Sequence, residues 1–298
     1  MGVLVFSGAA LDFPSRSFRG KRKPPPSCHA PTAEPQLNMI TFIAPAQLLA
    51  RLEAIGTSLR DSGHALALIG LGSVGLDIER IDEYSDLDFF VIVEPGQKAR
   101  YIDDLNWLNA VRPVVWHYRN TIDGHKALMA DGVFCEFAVF EPHELEPVPF
   151  APGRIVWRRP DVDPEIATPR RPLPDVRLPD EAWIVGEALS NLFVGLQRWH
   201  RGERLSAARL IQVHALDRLI ELDALRAEAT RAAGAVDPFS RDRRLEQRQS
   251  GLSAELASLM PGYEHTREAA VALLRALERR GAVLDGFIKG YIRALANG

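Results

Sequence analysis

Cysteine is nearly absent from this chain: Cys28 and Cys135 are the two it has. Two thiols build neither a disulfide framework nor a zinc site by themselves, so the expected setting is reducing and cytoplasmic. Lysine is scarce too, confined to Lys21, Lys23, Lys98, Lys126 and Lys289, which leaves arginine carrying nearly all the positive charge. No stretch approaches the roughly 20 consecutive apolar residues that cross a bilayer, so no membrane partner is expected. The 36 basic side chains fall short of the 39 acidic ones, giving a net charge of -3. Without a basic excess, or a basic track interleaved with aromatics, the chain lacks the usual footprint of a nucleic-acid binder.

What the chain does have is length and ordinary globular composition: 298 residues, 46% hydrophobic and 25% charged. That is enough for two domains with sizeable cores. Residues 1–38 are different in kind, with a basic stretch from Ser15 to Lys23, the run Pro24-Pro25-Pro26, and almost no acids. The apolar stretch from Val3 to Leu11 lacks the basic flank of a signal peptide. This segment is read as a disordered extension or a misassigned start in preference to an organelle transit segment.

From Pro45 to Arg60, Leu48, Leu49, Leu52, Ile55 and Leu59 recur at helical spacing, with Pro45 suited to the first turn. Strands are expected at 65–70 and 87–93, a helix at 98–110 and a third strand at 114–118. A hairpin is expected about Asp131-Gly132, pairing 126–130 with 133–140. These elements form a small mixed sheet with helices over residues 39–141. Ten of the 21 prolines fall between Pro142 and Pro179, and proline withholds donors from sheets and breaks helices, so 142–180 reads as a linker. Residues 181–298 read as an all-α helical bundle, with helices near 181–200, 204–226, 242–258, 265–281 and 283–296.

The chemistry gathers in the first of these domains. An apolar run ends in Gly70-Leu71-Gly72-Ser73, and a second apolar run opens with Ser85-Asp86-Leu87-Asp88. Side chains alternate along a strand, so Asp86 and Asp88 point the same way, and like charges at that spacing suggest a divalent cation. The Gly72-Ser73 turn offers backbone N–H groups, close approach and a hydroxyl, which together favour an anion such as a phosphate. A third carboxylate is sought on a neighbouring strand. Glu136 is the candidate, as the single charge in Val133-Phe134-Cys135-Glu136-Phe137-Ala138-Val139, where an acid without a partner would be costly.

Gly70, Gly72 and Gly75 also spell G-x-G-x-x-G, the dinucleotide-binding pattern. That reading is set aside, because 74–85 is too short and broken for a crossover helix and no further βαβ units follow. Asp77, Glu79, Asp82 and Glu83 are read as a solvated loop. His117 and His125 are read as packed or exposed rather than catalytic. In the helical half, Glu187 is a candidate acceptor-binding residue, and Trp183, Trp199 and Tyr263 could stack on a substrate or pack the bundle.

Gly72-Ser73, then Ser85-Asp86-Leu87-Asp88, then an acid on a later strand resembles the nucleotidyltransferase superfamily of the DNA polymerase β-like fold, over roughly residues 45–141. A small catalytic domain followed by a helical bundle most resembles its aminoglycoside and lincosamide adenylyltransferase branch. The resemblance implies that Gly72 and Ser73 hold a triphosphate and that Asp86 and Asp88 bind Mg²⁺. Glu136 then completes the metal site or acts as general base. It implies transfer of a nucleoside monophosphate, AMP from ATP or another nucleotide, to a hydroxyl of a small molecule held by the bundle. Three alternatives stand beside it: a protein adenylyltransferase of antitoxin type, an RNA nucleotidyltransferase, and a non-catalytic nucleotide-binding regulator. The sequence leaves the oligomeric state open.

Overall fold

The computed structural model describes residues 43–171, 178–230 and 242–298, so the reading of 1–38 lies outside the described residues. The chain divides into two compact units between Leu173 and Pro174.

In the first unit the expected mixed sheet is present. Its opening helix, α1 (Pro45–Asp61), carries proline in its first turn and buries Leu48, Leu52, Ile55 and Leu59. The strands are β1 (Ala65–Gly70), β2 (Leu87–Val93), β3 (Val114–Arg119), β4 (Gly124–Met129), β5 (Phe134–Phe140) and β6 (Arg154–Arg158). They form one sheet in the order β3-β4-β5-β2-β1-β6. β2 and β5 pair in parallel and every other neighbouring pair is antiparallel. Both central strands are buried throughout β2 and nearly throughout β5. Phe89, Phe137 and Leu68 pack with α1 on one face, and Phe90, Ile92, Phe140 and Phe150 pack on the other.

Two expectations are corrected here. The helix over 98–110 is two short ones, α2 (Lys98–Ile102) and α3 (Asn106–Asn109). Between them the Asp104 carboxylate accepts hydrogen bonds from the Asn106 backbone N–H (2.9 Å) and side-chain amide (2.8 Å), and a short acid that binds nearby backbone competes with helix continuation. The segment 142–180 is not simply a linker. It contains α4 (Pro142–Leu145) and β6, and β6 pairs with β1 as an edge strand. Proline flanks this strand without interrupting it, which an edge position tolerates.

The second unit is helical. α5 (Glu181–His200) is capped by Asp180, whose carboxylate accepts from the Trp183 N–H at 2.8 Å. α6 (Arg204–Arg209) runs through a π-helical turn (Leu210–Ala215) into α7 (Leu216–Thr230). The helix expected at 242–258 arrives as single turns, α8 (Leu245–Arg248), α9 (Ser250–Ser253) and α10 (Leu256–Leu259), followed by α11 (Thr266–Arg279) and α12 (Gly286–Asn297). Leu192, Leu196, Leu219, Leu273, Leu274 and Ile292 lie in one core. No helix among the described residues is long and apolar enough to cross a membrane.

Candidate active site

The three carboxylates picked from the sequence come from two adjacent strands and the turn before one of them. β2 and β5 lie side by side in parallel with Asp88 directly opposite Glu136. Partners directly across a ladder share a face of the sheet. Asp86 precedes β2 by one residue, and its charge is among those that act on Glu136. All three side chains are nearly covered, at 8%, 3% and 5% exposure for Asp86, Asp88 and Glu136. Acids this buried require partners or a ligand.

The glycine turn is built against Asp88. Leu71 N–H donates to the Asp88 carbonyl at 2.8 Å, and the N–H groups of Gly75 and Asp77 converge on the Gly72 carbonyl at 3.0 and 3.2 Å. Gly72 holds a φ of +53°, and a side chain there would stand 3.9 Å from Asp88 Oδ2. Ser73 follows, half-buried, in a single 3₁₀ turn. Gly75 is demanded by space, since a Cβ would fall 2.8 Å from the Gly70 carbonyl oxygen. The glycine fingerprint is therefore a tight turn between antiparallel strands, which is incompatible with the parallel βαβ unit of a dinucleotide site.

Glu136 has partners that the sequence did not announce. Lys126, directly across on β4, places Nζ 3.1 Å from Glu136 Oε2. Asn120 Nδ2 donates to Oε1 at 3.3 Å. Burial raises the Glu136 pKa, the Lys126 hydrogen bond and charge oppose it, and the Asp86 charge pushes it up again, leaving it above the ordinary value. Lys126 ends above its ordinary value, because Glu136, Tyr118 and Asp88 outweigh the burial that lowers it. Lys126 could have been suspected as one of the few lysines and as polar within β4, but its pairing depends on register.

Arg154 of β6 supports the turn from the other side. Its Nε–H donates to the Val74 carbonyl at 3.3 Å and its Nη1 reaches Glu53 of α1 at 3.3 Å. The remaining sequence candidates stand elsewhere. Asp82 and Ser85 bond each other (2.9 Å), and the Tyr84 N–H donates to the Asp82 carboxylate, so this loop folds on itself just before Asp86. Asp77 pairs with Arg80. His117 is exposed, while His125 is buried with Nε2 2.8 Å from the Ile102 carbonyl. Burial pushes the Cys135 thiol up, which fits a core residue and not a nucleophile. In the helical unit Glu187 lies partly buried on α5. Trp183 and Trp199 have arginine guanidinium groups over their rings, Arg218 at 5.4 Å and Arg204 at 4.8 Å.

Among the described residues no three His, Cys, Asp or Glu side chains form a ready metal cluster. The carboxylates that would hold a metal are Asp86 and Asp88, with Glu136 beside Asp88 and ion-paired to Lys126. The aspartate pair fits Mg²⁺, which keeps several waters and takes one or two carboxylates together with substrate phosphates.

No family model matches this chain, and no curated protein matches it. Among solved structures it is similar to an aminoglycoside 6-adenyltransferase from Bacillus subtilis, at 10% identity and a TM-score of 0.35 over 83% of this chain and 98% of that one. Similarity at that level does not carry an activity from one chain to the other.

Proposed function

We propose that this chain is a Mg²⁺-dependent nucleotidyltransferase that moves a nucleoside monophosphate, AMP from ATP, onto a hydroxyl of a small molecule and releases pyrophosphate. The observation that carries this reading is the side-by-side placement of Asp88 and Glu136, with the positive-φ Gly72 turn against Asp88. Gly72 and Ser73 hold the triphosphate through backbone N–H groups and a hydroxyl. Asp86 and Asp88 would hold Mg²⁺, which when bound neutralises charge on the phosphate oxygens.

Glu136 is the general base. The acceptor oxygen attacks the α-phosphorus and its proton passes to the Glu136 carboxylate. The α-phosphorus–oxygen bond to the β-phosphate breaks, and the electron pair leaves with pyrophosphate. A carboxylate raised by burial is a better proton acceptor near neutral pH than an exposed one. Lys126 positions it and stabilises its charged form before transfer.

Asp86→Asn and Asp88→Asn should each remove turnover by several orders of magnitude in folded protein, and Glu136→Gln should lower kcat with ATP binding retained. Steady-state kinetics with circular dichroism as a folding control decides this. Full activity in either aspartate variant overturns the metal assignment.

A further inference from the structure

A single row crosses the sheet at the level of the site. Asp88 on β2 faces Glu136 on β5, Glu136 faces Lys126 on β4, and Lys126 faces Tyr118 on the edge strand β3. One step along, Phe134 faces Leu128 and Leu128 faces Trp116. Direct cross-strand partners share a face, so Trp116 and Tyr118 lie on the same side of the sheet as the carboxylates. Their rings stand 5.2 Å apart, and Trp116 rests on Phe134 at 6.4 Å with the planes 26° from parallel. Both remain half open to solvent, 47% and 46%. Three strand spacings of about 4.8 Å separate Tyr118 from Asp88, roughly 14 Å in all.

Position along this row sorts the two substrates. The Gly72 turn flanks Asp88 on the β1 side, whereas Glu136, Lys126 and then the aromatic pair flank it on the other. In-line displacement puts the attacking oxygen and the leaving pyrophosphate on opposite sides of the phosphorus. With the pyrophosphate at Gly72 and Ser73, the attacking hydroxyl belongs beside Glu136, and the body of the acceptor extends toward β4 and β3. We infer that Trp116 and Tyr118 form the acceptor subsite, and that the acceptor is a ring-bearing alcohol whose ring lies on these two side chains. Aromatic faces carry negative potential and attract the polarised C–H groups of a hydroxylated ring, or an ammonium group attached to one. An open-chain alcohol gains little from such a surface.

This inference rests on the nucleotidyltransferase reading, and the two can fail separately. Mg²⁺–ATP binding and acceptor-dependent pyrophosphate release are measured in the full chain, in Asp88→Asn, in Trp116→Ala/Tyr118→Ala, and in Trp116→Phe/Tyr118→Phe. The acceptors are kanamycin, lincomycin and myo-inositol, with glycerol and ethanolamine as ringless controls. The double alanine variant should bind ATP as the parent does and raise the KM for a ring-bearing acceptor about tenfold or more, with the phenylalanine pair recovering most of the loss. Both side chains are exposed, so the substitutions spare the core. Weakened ATP binding in the alanine variant, an unchanged acceptor KM, turnover confined to the ringless alcohols, or silence across the panel while ATP still binds would each overturn the aromatic assignment. Absence of ATP binding in the parent chain would instead remove the nucleotidyltransferase reading itself.

Discussion

Glu136 shows how one side chain is tuned by neighbours on the adjacent strand and the loop before it. Its burial raises the carboxyl pKa and Lys126 holds it down. Lys126→Met removes the cation that favours the charged form, so the Glu136 pKa should rise further. The acidic limb of kcat/KM against pH should then move to higher pH, with the fold intact. A limb that stays in place would mean that Glu136 is not the base. The acid itself was legible in the sequence, as a lone charge in an apolar run. Lys126 and Asn120 were not, because they meet Glu136 through cross-strand register and a loop, and local spacing encodes neither.

At the scale of elements, the hairpin that carries Lys126 and Glu136 is anchored to α1. Arg51 Nη1 and Nη2 both donate to the Asp131 carboxylate, at 3.3 and 2.6 Å, and Arg112 adds a contact at 3.3 Å. Burial opposes ionisation of Asp131, but Arg51 and Arg112 outweigh it and leave the pKa lowered. A lowered carboxylate contributes stability above its unfolded pKa, and that contribution disappears as pH falls through the folded value. Arg51→Ala should therefore destabilise the protein by about 1 kcal/mol at pH 7, with the difference from the parent shrinking in acid; urea unfolding at both pH values measures it. The hairpin was readable from Asp131-Gly132 between alternating runs, and Gly132 indeed takes a φ of +91°. α1, β1 and β2 were readable for the same reason, strong periodicity bounded by turn residues. β6 was hidden because five residues amid prolines look like linker until an edge is free to receive them. The glycine fingerprint misleads because Gly70 and Gly75 answer the needs of a tight turn, a requirement that dinucleotide sites share.

At the scale of the whole molecule, a mixed sheet with an apolar cluster on each face and a separate helical core answer to the α+β-then-α pattern of the sequence. The first unit contains a built-in acid sensitivity at His125. Its ring is stacked on Phe137, Nε2 meets the Ile102 carbonyl, and Nδ1 has no partner among the described residues. Burial is the largest influence and the pKa is lowered. A histidine held neutral contributes stability above its unfolded pKa of about 6.5 and loses it as pH falls below that value. The melting temperature should fall between pH 7.5 and 5.5, and His125→Gln should flatten that dependence. An equally steep profile in the variant would assign it to other groups.

The central claim is nucleotidyl transfer at Asp86, Asp88 and Glu136. The most direct measurement is pyrophosphate release from ATP, GTP, CTP and UTP with Mg²⁺, against aminoglycosides, lincosamides and simple alcohols, in the parent chain and in Asp88→Asn. Release that depends on an acceptor and disappears in Asp88→Asn is the expected result. Release undiminished in that variant, or no nucleotide bound and no pyrophosphate formed with any acceptor, would contradict it.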